Sequence, residues 1–206
     1  MSNQQDRQAK PPTADLAYTQ RLQKLQNKRW KQIIDPQIPY AWNTRRICRG
    51  RVLEVGCGTG RNLKNLKGAA VGIDHNANSV AAAKEQGFEA YLPADFSESD
   101  VACKNSFDTL LVAHVLEHVT TNEGDELLQT YSKYLRSNGL IVLICPQERG
   151  FDSDDTHIRW VDVEIMCTHL KKLGAVIKSV ESFPFPRSVG KFFIYNESVV
   201  IGQLSK

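Results

Sequence analysis

The sequence offers few of the features that carry a protein outside the globular, reduced, water-exposed class. Its five cysteines, Cys48, Cys57, Cys103, Cys145 and Cys167, are odd in number and scattered, with no C-x-x-C among them. That excludes a disulfide framework and a cysteine zinc cage, and reduced, mostly buried thiols are expected. The longest apolar run, residues 140–145, falls far short of the roughly 18 residues that cross a bilayer. Residues 1–10 are polar and lack the apolar centre of a signal peptide, so a cytoplasmic chain with no membrane span is expected. No internal repeat interrupts the 206 residues, a length that suits one domain plus an embellishment. Net charge is also scarce, +3, but residues 1–51 hold 11 Lys and Arg against 3 Asp and Glu. Such asymmetry marks either a nucleic-acid or acidic-partner arm or a helix with one solvated basic face.

With 41% hydrophobic and 24% charged residues, the chain can bury a substantial core. Residues 1–12 are polar, Gln-rich and closed by two prolines, which predicts a disordered tail. Residues 13–50 predict an N-terminal helical cap: an amphipathic helix over 13–34 with a basic outer face, and after Pro36 and Pro39 a second short helix. Beyond Gly50, β-branched runs at 51–55, 69–74, 90–92, 107–113 and 140–145 alternate with helical patterns at 62–66, 78–86, 117–135 and 162–173. Alternation of this kind predicts an α/β, doubly wound, mostly parallel sheet. Two further runs, 176–183 and 192–201, are joined by a link too short for a crossover helix, so they should pair antiparallel and complete seven strands.

The strongest local signal is Val52-Leu-Glu-Val-Gly-Cys-Gly-Thr-Gly60, a strand running into glycines at alternate positions. A dinucleotide fingerprint would space them G-x-G-x-x-G, to set a pyrophosphate on a helix N-terminus. Here the pattern is G-x-G-x-G, no Lys or Arg interrupts it, and Asp74 follows fourteen residues after Gly60, where a carboxylate can accept both hydroxyls of a ribose. An adenosine ligand without pyrophosphate fits these marks.

From about residue 52 onward the sequence resembles the class I S-adenosylmethionine-dependent methyltransferases. The glycine-rich segment is similar to the family's first motif, Gly72-Ile-Asp74 to its acidic ribose turn, and Pro93-Ala-Asp95-Phe96 to its third-strand loop. Residues 107–119 resemble the fourth-strand motif, and residues 134–143 the helix, turn and fifth strand that follow. The resemblance implies that residues 51–206 form the methyltransferase domain and that S-adenosylmethionine is the cofactor. By position, Gly56, Gly58 and Gly60 would let it approach, with Cys57 as a small spacer, while Glu54 would order the loop or hold the methionine amine through water. Asp74 would clamp the ribose, Asp95 would accept the adenine amine with Phe96 packing nearby, and His75 and His114 would border the cofactor. Carboxylates around a sulfonium cation are electrostatically sensible.

Acceptor chemistry must be read elsewhere. An Asn/Asp-Pro-Pro-aromatic motif, which adenine-N6 methyltransferases resemble one another through, is missing, and Cys145-Pro146 reverses the Pro-Cys order of cytosine-C5 enzymes. His114, Glu117 and His118, spaced i, i+3, i+4, could aim at one pocket from a single helical turn, and His157 lies in a long acidic loop after the fifth strand, which reads as a lid. They form a possible set of divalent-metal ligands, resembling the Glu-x-x-Glu-His of small-RNA 2'-O-methyltransferases and of ubiquinone-pathway O-methyltransferases, with His114 where the first Glu stands. The same residues could instead supply a metal-free general base, with His157 and then His118 as the catalytic candidates, or merely order the helix start. The expected reaction is methyl transfer to an oxygen or nitrogen of a small organic acceptor. Ribose methylation of RNA and a non-catalytic cofactor-binding module are its rivals.

Overall fold

The computed structural model describes residues 37–205. The tail expected at 1–12 and the helix expected at 13–34 lie outside these described residues, whereas the second short helix forms at Ile38–Ile47 with Pro39 in its first turn. Seven strands make one sheet: β1 Val52–Val55, β2 Ala70–Ile73, β3 Ala90–Tyr91, β4 Phe107–Ala113, β5 Leu135–Pro146, β6 Ala175–Phe183 and β7 Glu197–Leu204. Their spatial order is β3-β2-β1-β4-β5-β7-β6. The first five run parallel, and β7 lies antiparallel to both β5 and β6. Chain order reverses between β1 and β4, so a crevice opens beyond the carboxyl ends of these two central strands.

The strands read as near-continuous apolar runs because both faces of the sheet are covered. Leu53, Val55, Leu110, Val112, Ile141 and Leu143 pack into one core, while Val52, Leu111, Ala113, Val142 and Ile144 alternate into the other. The flanking helices start where local chemistry caps them. Asn76 accepts from the backbone of Asn78 and Ser79 to open Ala77–Glu85, and Asp162 accepts from Ile165 to open Val163–Lys172. Leu111 is fully buried at the centre of β4. We expect Leu111→Ala to lower stability by about 2–5 kcal/mol, since neighbouring strands cannot collapse into the cavity it leaves. The midpoint of urea unfolding checks this, and a shift of less than ~1 kcal/mol would mean a loosely packed sheet.

Four elements depart from the sequence pattern. The helix expected over 117–135 is divided into a 3-10 turn Leu116–His118, a helix Thr121–Tyr131 and a second 3-10 turn Ser132–Tyr134. The division falls at Thr120, whose hydroxyl caps the new helix while Glu123 reaches back to the Thr120 amide. The loop expected around Asp95 is a short helix, Pro93–Glu98, opened by its proline. Strand β5 begins at Leu135 rather than 140, with an irregular register against β4. The last strand covers Glu197–Leu204 rather than 192–201, because Asn196 ties the preceding segment into a knot of polar contacts. Its buried amide donates to Gln147 Oε1 at 2.8 Å and Ser182 Oγ at 3.1 Å, and its carbonyl accepts from Phe185 N at 3.0 Å.

Candidate active site

At the end of β1, Gly56, Gly58 and Gly60 all take positive φ. A side chain at Gly56 would place its Cβ 2.2 Å from Val115 Cγ2, so only glycine lets this turn fold under the end of β4. Asp74, at the end of β2, holds the turn from the other side: Oδ2 accepts from Gly58 N at 2.7 Å and Oδ1 from Asn76 N at 2.8 Å. His75 sits beside it, with Nδ1 3.6 Å from Asp74 Oδ1 and the ring mostly exposed. Glu54 is buried within β1 and accepts from Asn62 at 2.7 Å through one oxygen, while its second oxygen finds no partner. Burial pushes its pKa up to about 8, against the pull of Asn62 and Arg61. Cys57 is buried against Gly72, where an added Cβ would lie 2.6 Å from its sulfur. A small core spacer is its structural part.

Two residues expected at the cofactor do not line the cavity. Phe96 is 1% exposed and packs among Tyr91, Tyr131 and Tyr134, because the unexpected helix Pro93–Glu98 turns it into the core. Asp95 is exposed in the first turn of that helix and does not line the cavity. Pro93, Val115, Val119, Leu127 and Tyr131 instead supply apolar lining to the cavity that Asp74 also lines. Sequence reasoning missed this wall, whose residues come from three separate segments.

At the acceptor end, the ligand atoms of Glu117, His118 and His157 lie within 4.8 Å of one another. Each is turned toward the others by its surroundings. His157 Nδ1 is 2.7 Å from the carbonyl of Phe151 and its ring stacks on the Phe151 ring. His118 Nδ1 is 3.1 Å from the carbonyl of Thr156. A carbonyl only accepts, so both Nδ1 atoms carry a proton, and in the neutral tautomer that this selects the lone pair lies on Nε2. Glu117 is fully buried and neither of its carboxylate oxygens has a hydrogen-bond partner. Although burial opposes its charge, His114 and His118 outweigh that and hold its pKa below the usual range. Burial, with the Glu117 carboxylate opposing it, leaves His118 below its ordinary value.

His114 does not join the other three. It ends β4 in the left-handed region, φ 58°, with its amide donating to Ile144. Its Nε2 lies 2.8 Å from Glu197 Oε1, and its Nδ1 lies 3.3 Å from Glu117 Oε1, close enough for ion pairing but outside hydrogen-bond geometry. Desolvation works against its charge, yet the two carboxylates lift its pKa to about 9. An imidazolium with both nitrogens facing carboxylates has no lone pair for a metal. The i, i+3, i+4 reading fails because the chain leaves the strand through a left-handed residue and a 3-10 turn, not through an α-helical turn. Cys145 lies 1% exposed beneath this group, and burial next to Glu117 keeps it a thiol.

The loop after β5 is tied to the segment that follows β4. It includes a one-turn helix, Glu148–Phe151, and the carbonyl of Glu117 accepts from both Ile158 N and Arg159 N. Arg159 returns two further bonds, to the carbonyls of Val119 and Leu116. The loop forms the part of the cavity wall that carries His157. Both ends open into one cavity of about 1660 Å³, beyond the roughly 1,000 Å³ of ordinary ligand pockets and large enough for two molecules side by side. Tyr40, Trp42, Tyr195 and Glu197 line it as well.

Residues 53–143 match the family model described as a methyltransferase domain. A ubiquinone biosynthesis O-methyltransferase of Rhodopseudomonas palustris (strain HaA2) is 30% identical over 99 residues, which cover 45% of this chain and 38% of that relative. The match thus spans well under half of the relative's length. Among solved structures, an S-adenosylmethionine-dependent methyltransferase from Archaeoglobus fulgidus superposes with a TM-score of 0.65 at 19% identity, covering 92% of this chain and all of that one. Magnesium protoporphyrin IX methyltransferase from Synechocystis PCC 6803, with bound S-adenosylhomocysteine, superposes with a TM-score of 0.64 at 14% identity, covering 94% and 97%. At these identities the likeness is one of fold. Among the described residues no helix is long and apolar enough to cross a membrane.

Proposed function

We propose that this chain, whose residues 53–143 are a class I S-adenosylmethionine-dependent methyltransferase domain, moves the cofactor's methyl group to an oxygen or nitrogen of a small organic acceptor. The observation that carries the reading is the single cavity lined by the glycine turn, Asp74, His118 and His157, with the buried Glu117 carboxylate close to the two histidines. Asp74 would accept the ribose hydroxyls through lone pairs left over from Gly58 and Asn76, while the apolar wall would take adenine. The unpartnered oxygen of Glu54 would face the cofactor's ammonium group. His157 Nε2, or His118 Nε2, would receive the proton that the acceptor loses as the new bond forms.

The same three residues fit a divalent ion, since a fully buried carboxylate with neither oxygen hydrogen-bonded converges with two imidazoles, their ligand atoms within 4.8 Å of one another. Glu117, His118 and His157 would hold it, and the two-nitrogen, one-carboxylate donor set suits zinc, iron or manganese better than magnesium. When bound, such an ion would polarise an acceptor oxygen and lower its proton affinity. Fully reduced cysteines, including the exposed Cys103, suit the cytoplasm. Turnover of metabolite pools with isotope-labelled cofactor, read by mass spectrometry, tests the proposal. Tight cofactor binding with no labelled product from any pool would favour a non-catalytic module.

A proton balance tests the Glu54 role by itself. With a pKa near 8 the free carboxyl is mostly protonated at pH 7, and an arriving ammonium group stabilises the charged form. Binding of S-adenosylhomocysteine at pH 7 should therefore release up to about 0.9 proton, fading as the pH rises past 8. Calorimetry in buffers of different ionisation enthalpy measures it. Equal heats in all buffers, or a release that persists in Glu54→Gln, would remove Glu54 from the ammonium.

A further inference from the structure

Part of the cavity wall is cationic and has no carboxylate set against it. Arg45 on the helix Ile38–Ile47, Arg61 and Lys64 on the helix Arg61–Asn65, and Lys67 just beyond it all line the cavity. None of the four forms an ion pair among the described residues, whereas Arg46, next to Arg45 in the chain, is paired with Glu181. The two helices meet where Arg45 Nε donates to the Asn65 carbonyl at 2.6 Å, and the terminal nitrogens of Arg45 make no hydrogen bond among the described residues. The Asn65 side chain gives a second, independent sign of a ligand. Asn65 is 9% exposed and lines the same cavity, and its Nδ2 has no hydrogen-bond partner. A buried N–H without an acceptor is costly, and a ligand oxygen would satisfy it.

We propose that this basic wall holds an oxyanion carried by the methyl acceptor, a carboxylate or a phosphate monoester, an inference that rests on the methyltransferase reading of the cavity. Every group presented there is a donor. Guanidinium, ammonium and amide N–H all match an anionic oxygen, and a guanidinium with a neighbouring amide suits a two-oxygen acceptor. The cofactor does not use up these charges. Its amino-acid end carries one carboxylate, which Arg61, whose charge reaches Glu54, is placed to meet, so Arg45, Lys64 and Lys67 remain for a second molecule. Ile38 and Trp42, on the same face of the helix as Arg45, also line the cavity and offer apolar surface to the acceptor's carbon skeleton. A small anion fits better than nucleic acid, because Asp74, Asp154 and Glu197 line the rest of the cavity and would repel an extended polyanion. Held by its charged end, the acceptor leaves its uncharged end for His118 and His157.

Calorimetric titration of the full chain tests this without any methyl transfer. The probes are benzoate and phenyl phosphate, with benzyl alcohol as the uncharged comparator, each with and without saturating S-adenosylhomocysteine. At least one anion should bind about tenfold more tightly than the alcohol with the cofactor product in place, and the tighter of the two names the oxyanion. Arg45→Gln and Lys64→Gln should each weaken that anion by about tenfold, the scale of a hydrogen bond to a charged group, while benzyl alcohol and S-adenosylhomocysteine bind as before. Lys64 is exposed, so its variant decides the matter even if Arg45→Gln loses its fold, and Lys104→Gln, outside the cavity, is the control for surface charge. Anions bound no better than the alcohol, or bound equally by the Lys64 variant and the wild type, overturn the proposal. So does anion binding abolished by S-adenosylhomocysteine, which would assign the cations to the cofactor. An RNA of about twenty nucleotides that binds more tightly than either probe, with affinity falling steeply in salt, would make nucleic acid the ligand and overturn it as well. Failed S-adenosylhomocysteine binding with the anion contrast intact would reject the methyltransferase reading and leave the oxyanion site, whereas intact binding without the contrast would reject the site alone.

Discussion

His157→Ala is expected to lower methyl transfer by about two to four decades while S-adenosylhomocysteine binds as in the wild type. The split follows from the layout. His157 comes from the wall after β5, stacked on Phe151 and close to Glu117 and His118, whereas the groups proposed for the cofactor, Glu54, the glycine turn and Asp74, come from β1 and β2. Two mechanisms share this outcome and are separated by chelation. If a divalent ion is held there, a chelator abolishes turnover, added zinc or manganese restores it, and Glu117→Gln loses both activity and metal, because one of two anionic oxygens is gone from a fully buried site. His114→Ala should keep the metal, since its nitrogens face Glu197 and Glu117. Turnover indifferent to chelator, with His157→Ala still crippled, leaves the imidazole base alone. A fully active His157→Ala enzyme removes His157 from the chemistry altogether.

Asp74→Ala should weaken S-adenosylhomocysteine by about 1.5–3 kcal/mol, or roughly ten- to a hundredfold, the scale of hydrogen bonds to a charged group. The carboxylate has two duties, because it also accepts from Gly58 N and Asn76 N, so the loss includes slackening of the glycine turn. Asp74→Asn separates the two. It keeps one acceptor oxygen and should recover part of the affinity, while thermal unfolding of both variants reports the cost to the turn. Calorimetric titration decides the matter: wild-type affinity in Asp74→Ala would discard its place at the ribose.

The glycine turn and Asp74 beside it were legible in the sequence because their geometry is local. Glycines at alternate positions and an acid at the end of the next strand are backbone requirements, and a backbone that must take positive φ beneath a neighbouring side chain accepts few residues. Parallel strands were legible for a similar reason, since burial on both faces writes unbroken apolar runs, and so was the antiparallel pairing of the last two strands, from the shortness of their connection. The bounds of the last strand were not, because the buried amide of Asn196, not any turn residue, ends its pairing.

The acceptor end belongs to the tertiary structure. Glu117 and His118 meet His157 because the Glu117 carbonyl holds the backbone of residues 158 and 159, a contact across forty positions that no spacing rule contains. His114 was assigned to the same group by periodicity, and its left-handed φ instead turned it to Glu197, which arrives from the far side of the sheet on β7. Phe96 went into the core for the converse reason: a proline opened a helix where the motif suggested a loop. Residue identity thus determined the glycine turn, where the requirement falls on the backbone. Strand order and local φ decided the acceptor group, where side chains from separate segments must converge, and convergence depends on contacts that sequence neighbours do not make.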